Sequence, residues 1–205
     1  MTRVFAVAAV VVVLAGLGAT YLASVQSPDD QFAQCRASTV AGGTGAIGGP
    51  FTLVSETGET VTDQDVITKP SLIYFGYTFC PDVCPLDTVR NAEAVDLLTE
   101  QGKDVLPIFI SIDPERDTPE VMAEYTNYIH DDMLGLTGSL EQVDQVSKAF
   151  KTYYRRHEPE DDFYLVDHST FSYLVLPEHG FVEFFRRDLS AEDLAERAAC
   201  FIAAA

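Results

Sequence analysis

The stretch Phe79-Cys80-Pro81-Asp82-Val83-Cys84-Pro85 holds two cysteines with three residues between them, each followed by proline. Two Cys-Pro steps do not suit a helix interior. Pro85 is favoured at a first helical position and biases Cys84 away from the α region, so Cys80 to Cys84 is predicted to be a turn leading into a helix. At such a helix mouth the backbone N–H groups and the positive end of the dipole favour a thiolate. Two small core residues, or a static disulfide, are the plain alternatives, and the paired prolines argue against both. A dithiol-exchange motif has two intervening residues, whereas this one has three. The wider spacing still permits a disulfide, and it also lets two sulfurs ligate one metal. Tetrahedral zinc would lack ligands, because no second cysteine pair has zinc-finger spacing. Soft thiolates suit Cu(I), and an added imidazole extends such a site to either copper oxidation state.

Four histidines are available. His130, before Asp131 and Asp132, reads as a solvated helix end. His157 sits in a charged loop, and His179 at a hairpin tip. His168, in Tyr164-Leu165-Val166-Asp167-His168-Ser169-Thr170, differs because a core strand is predicted directly after it. Whether it faces the cysteines depends on the elements around it.

Those elements alternate. Phe51-Thr52-Leu53-Val54 and Thr60-Val61-Thr62 flank Glu56-Thr57-Gly58 as a hairpin. Ser71 to Phe75 is a short buried strand, and a helix runs from Pro85 to about Gly102. Val105 to Ile112 is the next strand. Thr118-Pro119 caps a second helix, and Ser139 with Gln142 opens a third as a capping box, reaching about Tyr154. Ser172 to Leu176 and Gly180 to Phe185 flank a second hairpin turn, and Ser190 caps a last helix. A βαβ core followed by ββα predicts an α/β protein with a thioredoxin-like mixed sheet flanked by helices. In that topology the loop before the Ser172 strand faces the cysteine loop. His168 is therefore the predicted third ligand, with Asp167 either orienting its ring or bonding backbone.

Outside this domain, expected over residues 51–205, the chain reads differently. Val4 to Leu22 carries no charge, and an uncharged apolar run of about 18 or more residues spans a bilayer as a helix. A transmembrane anchor is predicted over residues 1–23, a cleaved signal peptide being the alternative. Arg3 before the run, with Asp29 and Asp30 after it, puts the domain on the outer side. Residues 24–50, ending in a glycine-rich tract from Ala41 to Pro50, read as a linker. The net charge is −19, which leaves no basic footprint for nucleic acid. Hydrophobic residues make up 47% of the chain, too many for a disordered one.

The sequence resembles the Sco/SenC family of copper-binding, thioredoxin-like assembly proteins from about Phe51 to the C-terminus. Phe75-Gly76-Tyr77-Thr78 before the cysteine motif, Ser111-Ile112-Asp113-Pro114-Glu115-Arg116-Asp117-Thr118-Pro119-Glu120, and Asp167-His168-Ser169 before Tyr173-Leu174 carry the resemblance. It implies copper, as Cu(I) or Cu(II), held by Cys80, Cys84 and His168. It implies delivery to the dinuclear copper centre of cytochrome c oxidase subunit II, with another periplasmic copper chaperone as a donor. The setting implied is the bacterial inner membrane, with the domain in the periplasm. A thiol-disulfide oxidoreductase using Cys80 and Cys84 as a redox pair is the alternative, and a peroxidase or redox sensor a third reading. Cys35 and Cys200 lie outside the family's functional motif. An oxidising compartment and an even cysteine count suggest that they form an added disulfide, two unrelated thiols being the alternative. Glu183 stands where relatives carry Asp, which leaves an outer-shell acid role open. The Asp113–Glu120 stretch is read as a turn feeding a helix cap.

Overall fold

The computed structural model describes residues 30–36, 44–158 and 164–205. The chain divides into two units, Met1–Gln34 and Cys35–Ala205. Of the first, residues 30–34 form a turn in which Ala33 N donates to the Asp30 carbonyl (2.8 Å). The predicted anchor over Val4 to Leu22 lies outside the described residues. Among the described residues no helix is long and apolar enough to cross a membrane.

The second unit enters through a 3-10 turn at Thr44–Ala46. Strands β1 (Thr52–Ser55) and β2 (Thr60–Thr62) form the predicted hairpin, with Leu53 opposite Val61. A one-turn helix, α1 (Asp63–Val66), follows. β3 (Ser71–Gly76) is buried at every position, as a strand covered on both faces must be. Next come α2 (Val83–Glu100), β4 (Leu106–Ser111), α3 (Pro119–Ile129), β5 (Leu134–Thr137) and α4 (Leu140–Ala149). A short ribbon, β6 (Tyr154–Arg156) and β7 (Val166–His168), precedes the hairpin β8 (Ser172–Leu176) and β9 (Gly180–Phe185). α5 (Ala191–Ala204) ends the domain.

Seven strands make one mixed sheet in the order β2-β1-β5-β4-β3-β8-β9, and β6-β7 stands apart as a two-stranded sheet. β3 pairs parallel to β4 and antiparallel to β8, so the two halves of the fold meet on it. The α/β architecture is the thioredoxin-like mixed sheet with flanking helices that the strand–helix alternation predicts. Aromatic rings fill the centre: Phe75, Phe150 and Tyr173 lie 5.4–5.6 Å apart, centroid to centroid. Full burial of one such ring is worth about 1.5–3 kcal/mol.

The caps follow the sequence. Ser139 Oγ accepts from Gln142 N (3.2 Å) while Gln142 Oε1 accepts from Ser139 N (2.8 Å), and Ser190 Oγ accepts from Asp193 N (3.1 Å). Several elements differ from expectation. α4 stops at Ala149 rather than near Tyr154, because Lys151 takes φ 55°, a left-handed turn that no helix continues through. β5 and the β6–β7 ribbon were not predicted at all. α2 begins at Val83, not Pro85, so Cys84 is helical.

Candidate metal centre

β3 delivers the chain through Gly76 to the cysteine loop, and α2 receives it. Cys80 N donates to the Tyr77 carbonyl (3.2 Å), which closes the turn. Cys84 N donates to Cys80 Sγ (3.4 Å). Pro85 is tolerated one residue later because first-turn N–H groups have no intrahelical partner to lose. For the same reason the Cys84 N–H is free to face a sulfur. Thr88 Oγ1 donates to the Cys84 carbonyl (2.6 Å) and holds the helix start in place.

His168, the last residue of β7, approaches from the other side. Its Nε2 lies 3.2 Å from Cys84 Sγ. The two sulfurs and a His168 ring nitrogen all fall within 4.8 Å of one another. His168 Nδ1 is 2.8 Å from the Ser169 carbonyl. A carbonyl only accepts, so Nδ1 bears the proton and Nε2 turns its lone pair to the sulfurs. Tyr74 and Tyr77 pack edge-on against the imidazole (centroids 6.2 and 5.9 Å) and fix its plane.

Cys80 and Cys84 are free thiols, 7% and 0% exposed. The Cys84 thiol donating to it, helped by the Asp82 and Cys84 backbone N–H groups, pulls the Cys80 thiol down against the opposing effect of burial. The hydrogen bond to Cys80, together with burial, pushes Cys84 up. The opposite shifts make Cys80 the more acidic sulfur and Cys84 the one that keeps its proton. Two sulfurs and one imidazole are a ligand short of tetrahedral zinc, and they match the soft, low-coordinate preference of copper.

Other predicted residues are placed elsewhere. Asp167 does not orient the imidazole. It pairs with Arg155 Nη2 (3.0 Å) and His157 Nε2 (2.8 Å) on the ribbon's exposed side. His130 pairs with Asp96 (3.1 Å), and His179 lies at the β8–β9 turn. Cys35 and Cys200 are disulfide-bonded, which ties Cys35 to α5. Glu183 is buried in β9, where Oε1 accepts from Phe184 N (3.0 Å) and burial raises its carboxyl. With Cys35, Arg197 and Phe201 it lines a cavity of about 310 Å³ that none of the three candidate ligands touches.

Sequence reasoning missed the side chains that hold the centre together. Asp117 is fully buried and accepts from Thr78 N (3.1 Å), Thr78 Oγ1 (2.6 Å) and Ser111 Oγ (2.5 Å). The Asp113–Glu120 stretch is thus more than a turn feeding a cap, although Thr118 Oγ1 does accept from Val121 N (3.4 Å). Asp87, one turn after Cys84 and buried, accepts from Tyr74 Oη (2.9 Å) and faces Arg187 Nε (3.5 Å). An acid on the buried face of α2 was the available signal, because a buried carboxylate needs partners.

The SCO1/SenC family model matches residues 40–203. Protein SenC of Rhodobacter capsulatus is 52% identical over 201 residues, covering 98% of this chain and 90% of that protein. A mitochondrial SCO1 homolog of Arabidopsis thaliana is 43% identical over 75% of this chain, which spans 46% of its length. The crystal structure of Arabidopsis thaliana ScoI with copper bound matches with TM-score 0.73 and 42% identity, over 76% of this chain and 98% of that one. The structure of BsSco, a member of the Sco family of cytochrome c oxidase assembly proteins in which a disulfide switch was identified, matches with TM-score 0.62 and 25% identity, over 76% and 92%. With the family model spanning nearly the whole second unit and these identities behind it, the chain belongs to the SCO1/SenC family.

Proposed function

We propose that the protein is a copper metallochaperone for cytochrome c oxidase. It holds one copper ion through Cys80, Cys84 and His168 and hands it to the dinuclear centre of subunit II. The hydrophobic span at Val4 to Leu22 anchors it in the bacterial inner membrane, residues 24–50 act as the linker, and the domain from Phe51 faces the periplasm. The observation that carries this reading is the placement of His168 Nε2 at 3.2 Å from a fully buried cysteine, with Nδ1 occupied by a carbonyl. Dithiol exchange has no need of that imidazole. The copper-bound Sco relative supports the same assignment. Phe79 and Leu86, 48% and 63% exposed beside the cysteines, supply apolar surface of the kind that meets a protein partner.

A second reading, a thiol-disulfide oxidoreductase acting on the cysteines of that partner, is favoured by the thiolate character of Cys80 beside a protonated Cys84. One experiment separates the two. The reduced full chain is titrated with Cu(I) against a chromophoric chelator, and the Cys80–Cys84 disulfide is titrated separately. Wild type binds one copper per chain. His168→Ala loses more affinity than the roughly 10–100-fold that losing an outer partner costs, yet still forms the disulfide. Cys80→Ala and Cys84→Ala lose both. Wild-type copper affinity in His168→Ala, with undiminished oxidase assembly, would overturn the chaperone reading.

A further inference from the structure

The three candidate ligands are carried by two separate parts of the fold. Cys80 and Cys84 sit where β3 meets α2, whereas His168 belongs to the β6–β7 ribbon. Among the described residues the ribbon shares no ladder with the seven-stranded sheet. No ladder sets the sulfur–imidazole distance directly: the short link 169–171 ties His168 to β8, which pairs with β3, and side chains complete the alignment.

The five-residue turn after β4 supplies them. The buried carboxylate of Asp113 accepts from Arg116 Nε (2.5 Å) through Oδ2 and from Tyr164 Oη (2.7 Å) through Oδ1. Arg116 Nη1 donates to the Tyr164 carbonyl (3.1 Å), and the guanidinium carbon stands 3.6 Å from the centroid of the Tyr164 ring. The same guanidinium lies 4.9 Å from the Phe79 ring and 5.6 Å from Tyr77. One side chain thus grips the residue that leads into β7 and both aromatic residues that lead into Cys80. Arg156 of the ribbon covers Tyr164 at 3.8 Å and pairs with Glu115 of the same turn. Tyr77 Oη accepts from Val166 N (3.3 Å).

We propose that Arg116, oriented by Asp113, is a positioning residue that latches the His168 ribbon onto the cysteine loop and so governs how fast copper leaves. This rests on the copper reading above. The step is a ligand exchange with no change of oxidation state: the copper–Nε2 bond breaks, an incoming donor from an acceptor protein takes the vacated position, and both thiolates stay bound until transfer. A planar, five-donor guanidinium that stacks and forks at once is suited to such a latch in a way a lysine is not.

The test compares Arg116→Ala, Arg116→Lys and Tyr164→Phe in the full chain with two readouts. The first is the rate of Cu(I) loss to a chelator. The second is amide hydrogen exchange in the copper-free protein. Arg116→Ala should release copper about 10–100 times faster and speed exchange in residues 154–156 and 166–168, while β3 and β4 stay protected and Cys80 and Cys84 still form a disulfide. Arg116→Lys should fail to rescue either readout, and Tyr164→Phe, which keeps the ring but loses the bond to Asp113, should fall between. Wild-type release and ribbon exchange in Arg116→Ala would overturn the proposal. So would exchange that rises equally across β3 and β4, because Arg116 would then be a general stability residue. If the alanine variant does not fold, the lysine variant carries the same two readouts, and wild-type behaviour in it would overturn the latch. Failure of wild type to bind copper through His168 would sink the copper reading instead, and the exchange readout, taken without metal, would still decide whether Arg116 holds the ribbon.

Discussion

The proton kept by Cys84 can be counted. With Cys80 the more acidic sulfur and Cys84 the one that keeps its proton, only Cys84 must be deprotonated when both sulfurs ligate a metal. The thiol pair should therefore release about one proton per copper near neutral pH, and log affinity should rise by about one per pH unit there. Titration calorimetry in buffers of different ionisation enthalpy reads this directly. Release of two protons would mean that Cys80 starts protonated. The three candidate ligands were legible because cysteine and histidine are rare here and their spacing is unlike that of core residues. The partner of the imidazole was not legible. Asp167 looked suitable as a neighbouring acid, but the group that orients Nδ1 is the Ser169 carbonyl, and a backbone carbonyl leaves no trace in residue identity.

The same contrast holds for whole elements. β3, β4 and β8 announce themselves as apolar runs, and Thr118, Ser139 and Ser190 mark three helix starts. β5 hides because Gly135 breaks a four-residue strand. The β6–β7 ribbon hides because Tyr154-Arg155-Arg156 and Val166-Asp167-His168 lack apolar alternation; it gives Val166 to the core and keeps Arg155, Arg156 and Asp167 outside in ion pairs. At the end of β3, close packing sets a demand that periodicity does not reveal. A Cβ on Gly76 would lie 3.0 Å from Cys84 Sγ and 3.0 Å from ring carbons of Phe109, both in fully buried residues. Gly76→Ala should therefore destabilise the domain by about 1–3 kcal/mol and displace Cys84 Sγ from His168. Denaturant unfolding measures the first effect and copper competition the second. Unchanged values for both would show that the sheet end relaxes freely around the added methyl.

Across the molecule, the cross-link between Cys35 and Cys200 joins residues 165 positions apart in sequence, so it encloses nearly the whole domain. A disulfide acts chiefly on the unfolded chain, and for a loop of this length the entropic model allows roughly 5 kcal/mol as an upper limit. The effect matters more in a chain of net charge −19, whose self-repulsion favours expansion. Bonds of this kind form and persist mainly in oxidising compartments. Neither sulfur belongs to the candidate metal group, so stability and copper binding should separate. Replacing both residues, Cys35→Ser with Cys200→Ser, should lower the denaturant midpoint by an amount bounded by that estimate, and mild reduction of wild type should reproduce the shift. Copper stoichiometry and affinity should stay as in wild type, because Cys80, Cys84 and His168 keep their own supports in the cysteine loop and the Asp113–Asp117 turn. An unchanged midpoint would mean that the folded domain strains against the bond as much as the unfolded chain is constrained by it. A fall in copper affinity would mean that α5, which packs on α2, transmits the tether to the helix start that carries Cys84.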